Sequence, residues 1–64
     1  MEKNEILILS QKLTELKLKK KLVEWSFHNM KNFSEKQVNA ILDEKGRLER
    51  AIAAIEERLK ELNL

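Results

Sequence analysis

Apolar residues recur along the chain at steps of three and four, which is the spacing of one face of an α-helix. A first stripe of such residues is interrupted once, by Lys20. It comprises Ile6, Leu9, Leu13, Leu16, Val23, Phe27 and Met30. A second stripe is interrupted once, by Lys45. It comprises Val38, Ile41, Leu48, Ile52, Ile55, Leu59 and Leu62. The alternation of a β-strand fits neither stripe, so the pattern predicts two amphipathic helices.

The segment between the two stripes contains a signal for the start of a helix. Ser34 is followed three residues later by Gln37, the spacing of a capping box, in which the two residues exchange hydrogen bonds. We therefore predict one helix over about residues 4–31 and a second over about residues 35–62. A linker of about three residues favours an antiparallel hairpin. The alternative, one continuous helix in a parallel coiled coil, conflicts with the capping box.

Length and composition limit the kind of protein that these helices can form. The chain has 64 residues, of which 38% are charged and 5% aromatic, with no Cys and no Pro. This length allows one domain, residues 1–64, and this composition is typical of long helices and coiled coils. Without Cys there is no disulfide framework. The longest run of large apolar residues, Ile6–Leu9, is too short to span a membrane, so we expect a soluble, cytoplasmic protein.

The first helix carries a second apolar stripe on the side opposite to its first. At about 100° per residue, Leu7, Leu18, Leu22 and Trp25 fall together there, with polar residues between them. A helix that is apolar on two sides is expected to have neighbours on two sides. Oligomerisation commonly stabilises small chains that lack disulfides and metals. We therefore predict an all-α homodimer, in which two hairpins form a four-helix bundle.

Leu18, Leu22 and Trp25 are the candidate partner-binding residues. They could complete the core of the dimer, dock a different protein or lie on a membrane surface, and the sequence leaves these alternatives open. Contiguous exposed apolar surface usually marks a partner site, and large aromatic side chains contribute disproportionately to binding. We expect a small regulatory protein without enzymatic activity, which binds a macromolecular partner and modulates it.

Lysines of the first helix suggest a second hypothesis. The formal net charge is +2, with +3 over residues 1–33 and −1 over residues 34–64. Lys12, Lys17, Lys19 and Lys21 could contact phosphates without reading base sequence, which would make the protein a modulator of RNA or DNA. The low net charge and the interleaved acids favour an ordinary solvated helix surface instead.

The sequence offers no convincing catalytic or metal site. His28 is the only histidine, and a metal site needs several ligands. Glu24 lies four residues before His28, the spacing for a contact along a helix. No Gly-rich phosphate loop is present, and no Ser, His and acid constellation is supported. We expect no enzymatic activity, no cofactor and no bound metal.

Three further residues break the regular pattern. Lys20 and Lys45 interrupt the stripes and are expected to reach solvent or to pair with acids such as Glu24, which would help fix the register. Gly46 is the only glycine and costs about 1 kcal/mol in a helix relative to Ala. It marks either a close approach by another chain or an exposed position.

Overall fold

Two helices of equal length make up the described part of the chain. The computed structural model describes residues 2–29 and 32–63. Helix α1 comprises Glu2–Asn29 and helix α2 comprises Glu35–Leu62, each of 28 residues. No strand occurs within the described ranges. The molecule measures 48 × 15 × 14 Å, as expected for two helices of about 42 Å lying side by side.

The observed helix ends agree with the prediction for α2 and differ slightly for α1. The predicted range of about 35–62 is confirmed by α2. Helix α1 begins at Glu2, two residues before the predicted position 4. The last two residues of the predicted first helix, Met30 and Lys31, lie outside the described residues.

The predicted capping box opens α2. The Ser34 hydroxyl accepts a hydrogen bond from the Gln37 amide at 3.2 Å, and the Gln37 side-chain oxygen accepts one from the Ser34 amide at 3.0 Å. The first turn is closed by the Val38 amide, which donates to the Ser34 carbonyl oxygen at 3.0 Å. Two amides that would otherwise lack partners at the helix start are thereby satisfied, which fixes where the second helix begins.

Replacing Ser34 by alanine is expected to lower the free energy of unfolding by about 1 kcal/mol, because the Gln37 amide loses its acceptor. Urea unfolding followed by circular dichroism measures this loss. The control is Ser34→Asp, whose carboxylate accepts the same hydrogen bond and suits the positive end of the helix dipole. Equal destabilisation by both substitutions would contradict a capping role for Ser34.

The core is a narrow seam between the inner stripes of the two helices. Leu16 on α1 and Leu48 and Ile52 on α2 are the side chains classed as buried within the described residues. The partly buried side chains packed against them are Leu13, Val23, Ala51 and Ile55. These residues confirm both predicted stripes as the sides on which the helices meet. So few buried side chains leave the hairpin with a small core for its length.

Phe27 departs from the predicted inner stripe. Its side chain is 40% exposed, although its spacing places it in line with Val23. Its ring stacks on that of Phe33 in the linker, with centroids 5.9 Å apart and planes 17° apart. Phe27 lies near the end of the hairpin, where it lines a small depression with Ile41, Leu42 and Lys45 of α2 and where the linker ring covers part of its surface. The two rings form a small apolar contact that closes this end.

Ion pairs join the two helices along their length. They are Glu5–Arg58 at 3.0 Å, Lys17–Glu56 at 3.5 Å and Glu24–Lys45 at 3.7 Å. Early residues of α1 pair with late residues of α2, as the predicted antiparallel arrangement requires. The hydrogen bond to Glu5 is the main cause of a raised pKa of the Arg58 guanidinium. All three pairs are partly exposed and screened by solvent, so each contributes little to stability and serves chiefly to fix the register.

The Glu24–Lys45 pair decides between two sequence-based expectations. Lys45 was expected to find an acid, and Glu24 supplies it. Glu24 was also expected to contact His28, and within the described residues it makes no such contact. His28 instead lies edge-on to Phe27, with ring centroids 6.2 Å apart.

Candidate protein-binding face

The outer face of α1 is a row of apolar side chains in water. We define it by Leu7, Leu18, Leu22 and Trp25, whose side chains are 56–64% exposed. In the same helix Leu16, on the inner stripe, is buried. The two opposed apolar sides predicted from the sequence are therefore present in α1. One is covered by α2, and nothing in the described chain covers the other.

Two shallow depressions extend the outer face. The first lies on α1 itself and is lined by Thr14, Lys17, Leu18 and Lys21. The second lies between the helices and is lined by Leu22, Val23, Ser26, Ala40, Ile41 and Glu44. Leu18 thus has lysines beside it. Leu22 connects the outer face to a flat side of the hairpin, that is, a surface to which both helices contribute.

Two polar residues beside the outer face, Thr14 and Asn29, bond to their own helix. The Thr14 hydroxyl donates to the Ser10 carbonyl oxygen at 3.0 Å, and the Asn29 amide donates to the Trp25 carbonyl oxygen at 2.8 Å. Both bonds span four residues, the local pattern that such side chains make in helices. A partner that covered this face would therefore not leave these donors unsatisfied, which removes a common penalty of burial.

The four lysines of the nucleic-acid hypothesis are exposed but do not form one cluster. Lys17 pairs with Glu56 and Lys19 pairs with Glu15, each at 3.5 Å. Lys17 and Lys21 line the depression beside Leu18. Lys12 and Lys19, seven residues apart, share another side of the helix. The structure thus places two of the four against carboxylates, and it spreads the lysines around α1.

Sequence reasoning did not mark two other apolar side chains as surface. Ile8 and Leu42 are both more than half exposed. Ile8 belongs to the short apolar run at 6–9, in which helical geometry leaves one residue on neither stripe. Leu42 lines a shallow depression on α2 together with Asp43, Gly46 and Arg50. A side chain at Gly46 would meet only the end of Arg50, with Nη1 3.4 Å from the added Cβ.

Replacing Gly46 by alanine is expected to raise the free energy of unfolding by about 0.5–1 kcal/mol, because Ala loses less conformational freedom in a helix. The neighbouring Arg50 guanidinium is the far end of a flexible side chain and can shift. Urea unfolding measures the change, and Ala54→Gly in the same helix should lower stability by a similar amount. A less stable Gly46→Ala variant would show that another chain approaches this position closely.

Other kinds of site find little support in the described residues. Within residues 2–29 and 32–63, no three His, Cys, Asp or Glu side chains come together as a set of metal ligands. Neither helix, over its described length, holds a stretch long and apolar enough to cross a membrane. Comparison with protein-family models, with curated proteins and with solved structures finds no match to this chain.

Proposed function

We propose that this protein is a small, non-enzymatic interaction module, which forms a homodimer and binds a macromolecular partner in order to modulate it. The observation that carries the proposal is the exposure of Leu18, Leu22 and Trp25 on a helix whose other side is already packed. Exposed apolar surface of this kind marks interaction sites, and tryptophan is enriched among residues that dominate binding energy.

The surface area of the hairpin supports self-association. Its accessible surface is 5443 Å². A compact monomer of 7.6 kDa is expected to expose about 4,300 Å². The excess of roughly 1,100 Å² exceeds the ~800 Å² that each partner buries in a standard interface. One copy of the chain is thus more open than a typical folded protein, and pairing with a second copy would remove the excess.

In a four-helix bundle, the two hairpins would pack against each other through their flat sides. Side chains of both inner stripes are only partly buried in the single hairpin, so a second hairpin could cover them. They are Ile6, Leu9, Leu13, Val23, Val38, Ile41, Ile55, Leu59 and Leu62. Each helix of such a bundle contacts two neighbours on one side of its axis. The outer face of α1 is about half a turn away from that side, so we assign it to a partner and not to the bundle core.

Sedimentation equilibrium combined with quenching of Trp25 fluorescence tests both parts of the proposal. Trp25 is the only tryptophan, so its emission reports on the outer face alone. We expect a species of about 15 kDa, twice the 7.6 kDa of one chain. In that species acrylamide should quench Trp25 about as strongly as it quenches a free tryptophan derivative.

Each alternative result overturns a defined part of the proposal. A monomer at every concentration would refute self-association. A dimer in which Trp25 is shielded from acrylamide would place the outer face inside the dimer interface, and it would refute the partner site. The control is Trp25→Glu, which should remain dimeric if the bundle forms through the flat sides.

A further inference from the structure

We propose that the outer face of α1 binds an amphipathic helix of another protein, one whose apolar stripe is bordered by acidic side chains. The inference rests on the proposed function and names the chemistry of the partner. It follows from the spacing of the apolar anchors, from the charge beside them and from the poor fit of a second copy at the same face.

The anchors have the spacing by which helices recognise one another. Leu18, Leu22 and Trp25 stand at positions i, i+4 and i+7 of α1. This spacing places them in one row about 10 Å long, at ~1.5 Å per residue. Helices that dock through an apolar face use such rows of anchors. Leu7 continues the row toward the start of the helix, so a partner helix could follow α1 for most of its length.

The charge beside Leu18 is positive, whereas Glu44 lines the depression beside Leu22. Residues 12–21 contain five lysines and one glutamate, and these lysines spread around α1. Two of these lysines, Lys17 and Lys21, line the depression that contains Leu18. The Lys17–Glu56 pair is about half exposed on both sides, so it contributes little and can exchange for a carboxylate of the partner. Acidic side chains along the edge of an incoming helix would complement this surface and speed its association.

A second copy of the chain fits this face poorly. Self-pairing of α1 through this face would bring two Lys17–Lys21 segments side by side if the helices were parallel, and the two Lys21 residues close together if they were antiparallel about Leu22. Like charges in close contact oppose association, and the single acid in residues 12–21, Glu15, already pairs with Lys19. An acidic helix from a different protein meets the same apolar row without this repulsion.

Binding of designed peptides to the full chain tests the inference. One synthetic helical peptide, matched in length to α1, carries a leucine stripe bordered by glutamates, and its control carries lysines at the same border positions. Fluorescence titration of Trp25 should show that the glutamate peptide binds at least about tenfold more tightly at low salt. The difference should shrink as salt is added, because the charges are exposed.

Variants of the chain locate the binding site. Leu18→Asp should weaken binding of the glutamate peptide by at least about tenfold, since it places a charge in the anchor row. Leu42→Asp is the matched control, an exposed leucine on α2, and should leave binding unchanged. The double change Lys17→Glu and Lys21→Glu should transfer the preference to the lysine peptide. Circular dichroism of each variant confirms that the helices are retained.

Several results would overturn the inference. Equal affinity for the two peptides, or no binding of either, would refute the acidic partner helix. Loss of binding in Leu42→Asp but not in Leu18→Asp would place the site elsewhere. A shift of Trp25 emission with phosphatidylserine vesicles but not with peptides would assign the face to lipid. In the first case, a dimer whose Trp25 stays open to acrylamide would leave the proposed function intact, because only the partner chemistry would be wrong. A site placed elsewhere, or a face assigned to lipid, would overturn the partner site of the proposed function as well.

Discussion

Leu48→Ala should remove a large part of the free energy of unfolding of this chain. Leu48 is 6% exposed and belongs to the small buried group at the seam. Truncating a buried leucine to alanine costs about 2–5 kcal/mol. A chain of 64 residues has a total stability of roughly 3–10 kcal/mol, so the loss removes between about a fifth and all of it. Far-UV circular dichroism and urea unfolding measure the effect.

Leu18→Ala is the matched control for this prediction. The substitution is the same and both leucines lie in the interior of a helix, but Leu18 is 58% exposed. Removing its side chain takes little apolar surface out of the folded core, and we expect a change within about 0.5 kcal/mol. Similar losses in the free energy of unfolding for Leu48→Ala and Leu18→Ala would show that the seam is not the source of stability, or that another chain covers Leu18.

Much of this fold could be predicted because its determinants are local in sequence. The start of α2 follows from Ser34 and Gln37, which meet within one turn whatever the rest of the chain does. The seam follows from the three-and-four spacing, which brought Leu16, Leu48 and Ile52 to the interior. Phe27 is the exception, because its surroundings depend on the linker, whose path a helical period does not describe.

The candidate site, like the fold, could be predicted from the sequence only in part. The place of Leu18, Leu22 and Trp25 on the side of α1 away from α2 follows from their angle on the helix, and the sequence predicted this opposed apolar side. The partner of each lysine could not be predicted, since Lys17 reaches Glu56 on the other helix while Lys19 reaches Glu15 on its own. Long charged side chains choose among acids by differences well below about 1 kcal/mol, which a spacing rule does not resolve.

Hundredfold dilution should lower the midpoint of thermal unfolding by about 10 °C if the folded state is a homodimer. Unfolding then releases two chains, so mass action favours the unfolded state as concentration falls. The magnitude assumes an unfolding enthalpy of ~0.7 kcal/mol per residue for both chains together. Circular dichroism melts in cells of long and short path length cover this concentration range.

Gly46→Ala provides the control for this measurement. If its only effect is on helix propensity, the midpoint should rise at every concentration and keep the same dependence on dilution. A midpoint that is independent of concentration would show that the narrow seam suffices for one hairpin to fold alone. The excess surface of the hairpin would then have to be explained by its partner. The apolar row of Leu18, Leu22 and Trp25 would then be the first surface to examine for a stabilising contact.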